Sequence, residues 1–172
     1  MDSVQRQRFF DRLEAGYGGR GRGKILQRLL LLALHRAGYR ALEERISEWI
    51  DLEVEDRDNT AMRYAFEVRT TRSFHVEVKE QDLQQMANLP AGYRAAMAAL
   101  RTGPGARWVF ADRAVLLPGK LRISYGNSRE WEALAGEVNR AFDAVLEEYG
   151  PAAVSEGLQG LEGPVKKALG GV

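Results

Sequence analysis

The feature that most constrains this chain is a pair of strand-like segments, Trp49 to Asp56 and Tyr64 to Thr71, separated by the turn-prone Arg57-Asp-Asn-Thr-Ala61. Each carries an acid among apolar neighbours, and the two read as the strands of a hairpin, in which Asp51 and Glu67 need a solvated face or a cation to share. With the turn at 57–61, antiparallel partners have residue numbers that sum to about 118, so Asp51 falls directly opposite Glu67. Like charges facing each other in a ladder are destabilising, and one of them should titrate high unless a cation neutralises the pair. A divalent cation does this economically. Mg2+ takes few protein carboxylates and leaves its other positions to water and substrate phosphate, so Mg2+ or Mn2+ at Asp51 and Glu67 suits phosphoryl chemistry. The alternative is a solvated face with Arg57, Arg63 or Arg69 as counter-ions.

Ahead of the hairpin, a basic glycine-rich segment from Gly16 to Gly23 leads into the run Lys24 to Ala37, which is apolar at helical spacing and stops at Gly38. A strand from Tyr39 to Ile46 is expected next. In this order of elements, Gly38-Tyr39, Asp51 and Glu67-Val68-Arg69-Thr70 resemble the restriction-endonuclease-like PD-(D/E)XK superfamily, in particular its Holliday-junction-resolvase-like and restriction-related branches. The resemblance covers roughly residues 20 to 125. It implies a mixed α/β sheet of about five strands flanked by helices, and metal-dependent hydrolysis of DNA phosphodiesters. By the same resemblance Asp51, Glu67 and the Val68 carbonyl are metal ligands, Arg69 or Lys79 stabilises the developing phosphorane charge, and Glu53 assists from Asp51's face.

Two departures stand out. The family lysine is Arg69 here, and the glutamate of the family's first helix is replaced by a turn carrying Lys24, Gln27 and Arg28. Arginine keeps the charge and binds phosphate bidentately, but it cannot serve as a base. A protein of the same fold that binds nucleic acid or a protein partner without cutting is therefore the competing reading. A second Glu-x-Lys, Glu77-Val78-Lys79, lies on a short strand leading into a helix at Asp82, which makes Lys79 a candidate substitute for the missing lysine; the alternative is the wet face of an edge strand.

Charge is unevenly distributed. Residues 1–40 carry nine Lys or Arg against three acids, whereas residues 41–60 carry two against eight. A basic rim beside an acidic site suits a polyanionic substrate, with Arg20, Arg22, Lys24 and Thr70 as the expected DNA contacts. The chain has no cysteine, which removes thiol nucleophiles and iron–sulfur chemistry and fits a cytoplasmic protein. His35 and His75 have no partner at metal-ligand spacing, and the leucine run at 29–34 is too short to span a membrane.

Downstream, Gln81 to Leu100 reads as two short helices interrupted by Pro90 and Gly92. Arg107–Leu117 and Leu121–Tyr125 read as strands joined around Pro118-Gly119-Lys120. A helix from Arg129 to about Tyr149, capped by Asn127 or Ser128, has the apolar stripe Trp131, Leu134, Val138, Phe142 and Leu146, suited to a core or a homodimer seam. The expected organisation is a basic glycine-rich lead at 1–23, a nuclease-like α/β domain at 24–149, and a flexible tail at 150–172.

Overall fold

The computed structural model of the protein describes residues 1–44, 50–123 and 129–170. The elements are α1 (Ser3–Arg36), β1 (Tyr39–Glu44), β2 (Leu52–Asp56), β3 (Arg63–Thr71), β4 (His75–Val78), α2 (Glu80–Ala87), β5 (Tyr93–Arg101), β6 (Trp108–Asp112), a 3-10 turn (Arg113–Val115), β7 (Gly119–Arg122), α3 (Arg129–Glu156) and α4 (Gln159–Ala168). The hairpin forms in the expected register, with Leu52 paired to Phe66, Glu53 to Ala65, Val54 to Tyr64 and Glu55 to Arg63. Trp49, Ile46, Tyr125 and the candidate caps Asn127 and Ser128 lie outside the described residues.

The architecture is α/β, a mixed five-stranded sheet ordered β1-β2-β3-β5-β6 and flanked by helices, with β4 and β7 forming a separate two-stranded ribbon. β1, β2 and β3 are antiparallel neighbours, β3 and β5 run parallel, and β5 pairs antiparallel with β6. Alternation puts Leu52, Val54, Phe66, Val68, Ala98 and Phe110 on the face covered by α1, α3 and α4. Ala65, Met97, Ala99 and Ala111 face the other way, against Val76 and Val78 of β4 and Leu83 and Met86 of α2. Glu67 and Arg69 share that second face by the same alternation.

Three segments depart from expectation. Residues 16–23 are not a loose lead. α1 starts at an Asp2 cap, whose side chain accepts the Gln5 N–H at 2.8 Å while the Gln5 side chain accepts the Asp2 N–H at 3.0 Å. It then continues through the glycines to Arg36, with one kink at Gly18, where φ is +63°. Phe9, Phe10 and Leu13 ahead of the kink and Ile25, Leu26, Gln27 and Leu29 to Leu34 after it are buried, so the glycines sit between two stretches that tertiary packing holds helical.

Nor is 150–172 a loose tail. Leu161, Val165 and Ala168 of α4 are buried in the main core, and the Tyr17 hydroxyl donates to the Val154 carbonyl at 3.1 Å. The chain leaves α3 at Gly157, φ +64°, where a Cβ would lie 2.7 Å from the Tyr17 ring, so this approach requires glycine. α1 thus crosses the expected boundary at 23/24, and α3 crosses that at 149/150.

Tyr93–Arg101, expected as a helix, is the strand β5 between β3 and β6. Its alanines are strong helix formers, but Ala96 and Ala98 are the small residues that let Phe66 and Phe110, on the flanking strands, meet edge to face at 5.2 Å. Trp131 of α3 closes that cluster, 6.1 and 6.2 Å from the two rings. The stripe Trp131, Leu134, Val138, Phe142 and Leu146 is buried within the chain's own core. β6 ends at Asp112, and β7 pairs with β4 rather than continuing from β6.

Candidate active site

Asp51 lies one residue before β2. Its N–H donates to the Phe66 carbonyl at 3.2 Å, and its Oδ2 accepts the Val68 N–H at 2.8 Å, so ladder and side chain together fix the carboxylate at the edge of β3. Continuing the pairing by one residue from Leu52–Phe66 brings Asp51 opposite Glu67. Glu67 is buried, 8% exposed. Burial first, and then the Asp51 charge, push its carboxyl up to about 7; Asp82 adds to the shift and Arg69 opposes it.

Arg69 lies across these acids. It ion-pairs with Glu67, its Nη2 donates to Asp82 Oδ2 at 2.8 Å, and its Nη1 donates to the Val68 carbonyl at 3.2 Å. Burial works to lower the guanidinium pKa, but Glu67, Asp82 and Asp51 outweigh it and hold the group above its ordinary value. Asp82, in the first turn of α2, is 6% exposed and also accepts the Lys79 N–H at 3.2 Å. The Asp82 carboxylate therefore joins the start of α2 to the third strand.

The structure brings Asp51, Glu67, Val68 and Arg69 together. It keeps the Lys79 side chain apart: Lys79 meets the cluster through its backbone N–H on Asp82, its side chain is exposed, and no ion pair to it occurs among the described residues. Glu53 shares the face but accepts the Tyr93 hydroxyl at 2.9 Å. Buried Glu55 is held by Arg40 at 2.6 Å and Arg63 at 3.4 Å, so part of the acidic run is neutralised inside the sheet. Of the expected DNA contacts, Arg20 and Lys24 are exposed and Thr70 is half-buried beside Gly23. Arg22 is buried and paired with Glu14, a structural position. His35 and His75 stand away from the acids, on α1 and β4.

Two residues of the site had no role in the sequence reading. One is Asp82. The other is Gln27, 5% exposed on α1, whose Nε2 donates to the Asp51 carbonyl at 3.2 Å. Its signal was visible: apart from its neighbour Arg28, Gln27 is the one polar residue in the helical run from Ile25 to Leu34, and a buried amide needs a partner. Asp82 carried a weaker signal, because an acid in a first turn is usually explained by the helix dipole alone.

The donor chemistry fits a hard cation. Two carboxylates and a main-chain carbonyl meet at one strand edge, and the buried Glu67 is destabilised as an anion. Among the described residues no group of three or more acids or histidines is arranged to hold a metal, and a cation at Glu67 and the Val68 carbonyl requires Arg69 to withdraw from both.

No family model matches the chain, and no curated protein matches it. Among solved structures the chain is similar to Hjc, a Holliday junction resolvase from the archaeal hyperthermophile Archaeoglobus fulgidus. The identity is 20% and the TM-score 0.48, over 70% of this chain and 99% of that one. No helix among the described residues is long and apolar enough to cross a membrane.

Proposed function

We propose that this chain is a restriction-endonuclease-like nuclease that hydrolyses DNA phosphodiester bonds with Mg2+ or Mn2+ held by Asp51, Glu67 and the Val68 carbonyl. The observation that carries the reading is the β2–β3 register, which brings Asp51 to the Val68 amide and beside Glu67. The cation supplies Lewis acidity at the phosphoryl oxygen and lowers the pKa of its bound water. The protein's own groups do the positioning. Asp51 is fixed by the Val68 N–H and, through its carbonyl, by Gln27; Asp82 holds Arg69 at the rim of the site. Released from Glu67, the Arg69 guanidinium binds the scissile phosphate bidentately and stabilises its developing charge, while proton removal falls to another group because arginine stays protonated. Arg20 and Lys24 contact the flanking backbone.

One observation favours a second reading, a nuclease-fold module that binds DNA or a protein partner without cutting: the Arg69 guanidinium already neutralises Glu67 and Asp82 and occupies the Val68 carbonyl. Titration of Mg2+ and Mn2+ into the wild type and Asp51→Ala by calorimetry, paired with cleavage of plasmid, single-stranded and branched DNA, separates the two. The nuclease reading expects metal binding and cleavage that both vanish in Asp51→Ala. Absence of metal binding in either protein sinks it. Arg69→Lys then tests the residue itself, a sharp rise in cleavage marking an enzyme restrained by its arginine.

A further inference from the structure

A second concave region lies at the other end of the same strands, where β1 begins, β2 ends and β3 begins. A cavity of about 300 Å3 opens there against the first turns of α3, with Tyr39, Tyr64, Trp131, Asp56, Asp58 and Glu137 in its wall. Three carboxylates line it, and among the described residues no Lys, Arg or His does. Arg94 does not itself line the cavity, but it is stacked over the ring of Trp131, a wall residue, at 5.3 Å, and its charge partly opposes the rise in the Tyr64 hydroxyl pKa.

The two phenols make this more than a patch of surface acid. Tyr39 is 8% exposed and Tyr64 7% exposed, both line the cavity, and neither hydroxyl has a hydrogen-bond partner among the described residues. The rings are buried, but the hydroxyl oxygens are not sealed off: each keeps access to the cavity space, where a polar group can meet it. Their rings are fixed: Tyr39 packs edge to face on Tyr64 at 5.8 Å, and Tyr64 on Trp131 at 5.9 Å. Burial, then the nearby Glu137, raises the Tyr39 hydroxyl above its usual range, and burial with Asp56 does the same for Tyr64. Both phenols therefore stay neutral and offer oxygen lone pairs beside the carboxylates.

Aromatic walls, neutral hydroxyl oxygens and three carboxylates select one ligand chemistry. Anions are repelled, a bare metal ion leaves the ring faces and most of the volume unused, and a neutral molecule leaves the carboxylates without a partner. We propose that this cavity binds an organic ammonium ion on a short alkyl chain, the group shared by a polyamine and a lysine side chain. The ammonium donates to the Tyr39 and Tyr64 hydroxyls and to Glu137 or Asp56, and the alkyl part lies against the rings. This inference does not depend on the chemistry at Asp51 and Glu67.

The test is calorimetry on the full chain at fixed ionic strength. The probes are putrescine, spermidine and N-acetyl-lysine methylamide, with 1,4-butanediol as the neutral control. The expected result is saturable binding of an amine, at least tenfold weaker in both Tyr39→Phe and Glu137→Gln, and none of the diol. Glu137 is exposed, so its amide leaves the fold undisturbed, and phenylalanine at 39 keeps the ring contacts. Tighter binding of the free amines identifies a small-molecule ligand, and tighter binding of the lysine amide identifies a partner's side chain; either upholds the ammonium site. The inference is overturned by the absence of saturable amine binding, by diol binding equal to that of putrescine, or by amine binding unchanged in both variants.

Discussion

The two ends of β2 present acid in opposite ways. Before its first residue, Asp51 stands beside Glu67 and Asp82, and the chain closes over them with its own cation, Arg69. After its last residues, about 17 Å away at strand rise, Asp56, Asp58 and Glu137 surround a cavity whose described lining residues include no cation. One end is neutralised internally and buried. The other is open and takes its counter-charge from outside. A count of charges along the sequence cannot tell these apart, because what separates them is which element crosses above: β4 and α2 bring Asp82 and cover the first, whereas α3 leaves the second accessible.

The largest effect should come from removing the internal cation. In Arg69→Met, Glu67 and Asp82 remain buried without a cation to pair with, and breaking a buried pair from one side costs about 3–5 kcal/mol. Denaturant unfolding at pH 8 should show that loss. If Asp51 and Glu67 hold a divalent cation, millimolar Mg2+ restores part of the melting temperature in Arg69→Met but not in Arg69→Met combined with Asp51→Asn. A variant as stable as the wild type would mean that Arg69 is a surface counter-ion and that the contrast between the two ends is false.

Next in size is the pH dependence of Glu67. Its folded-state pKa of about 7 lies above its ordinary 4.5, so the folded chain holds the proton more tightly than the unfolded one. The linked stability is fully present below the ordinary value and is lost as pH rises through about 7. The loss is at most about 3 kcal/mol. In chelator-containing buffer, stability should fall between pH 5 and 8 in the wild type and fall less in Glu67→Gln. Equal slopes in the two proteins would show that Glu67 titrates normally.

The stretch between the two ends shows how much was legible in the sequence. The β2–β3 register followed from counting across a short turn, because alternation at period two and a five-residue connection leave one pairing that buries Leu52, Val54, Tyr64 and Phe66 together. The adjacent strand β5 was not legible. Its Ala-rich sequence has helical propensity, and it is a strand because its small side chains fit between Phe66 and Phe110, a fact about its neighbours rather than itself. The same holds for α1, where glycines that weaken a helix locally are carried by burial on both sides. At the acid site, Asp51, Glu67 and Arg69 were readable from one hairpin, whereas Asp82 needed the α2 crossover and Gln27 needed α1 laid over the sheet.

Ala98→Leu exploits that difference. Added volume between Phe66 and Phe110 should destabilise by roughly 1–3 kcal/mol through overpacking. It also disturbs Trp131, which lines the cavity, while Glu67 and Arg69 lie on the opposite face of the sheet. Tryptophan fluorescence and amine binding should therefore change, and the Glu67 pH dependence should remain. Loss of that pH dependence would mean that the two faces are coupled through the sheet.

The smallest stability effect belongs to Glu137→Gln. The residue is exposed and has no ion pair among the described residues, so its amide should alter stability by no more than about 0.5 kcal/mol at pH 7. The sign is informative. Removing one of three carboxylates around a cavity with no cation among its described lining residues relieves repulsion, so the expected shift is a slight stabilisation that shrinks as salt screens the charges. At the Arg69 end the corresponding change, Asp82→Asn, removes an acceptor from a buried guanidinium and must destabilise. Opposite signs for two acid-to-amide changes, read by denaturant unfolding in low salt, would separate an internally paired cluster from one awaiting a partner. A clear destabilisation by Glu137→Gln would instead assign Glu137 to an ion pair within the chain and end the contrast between the two ends.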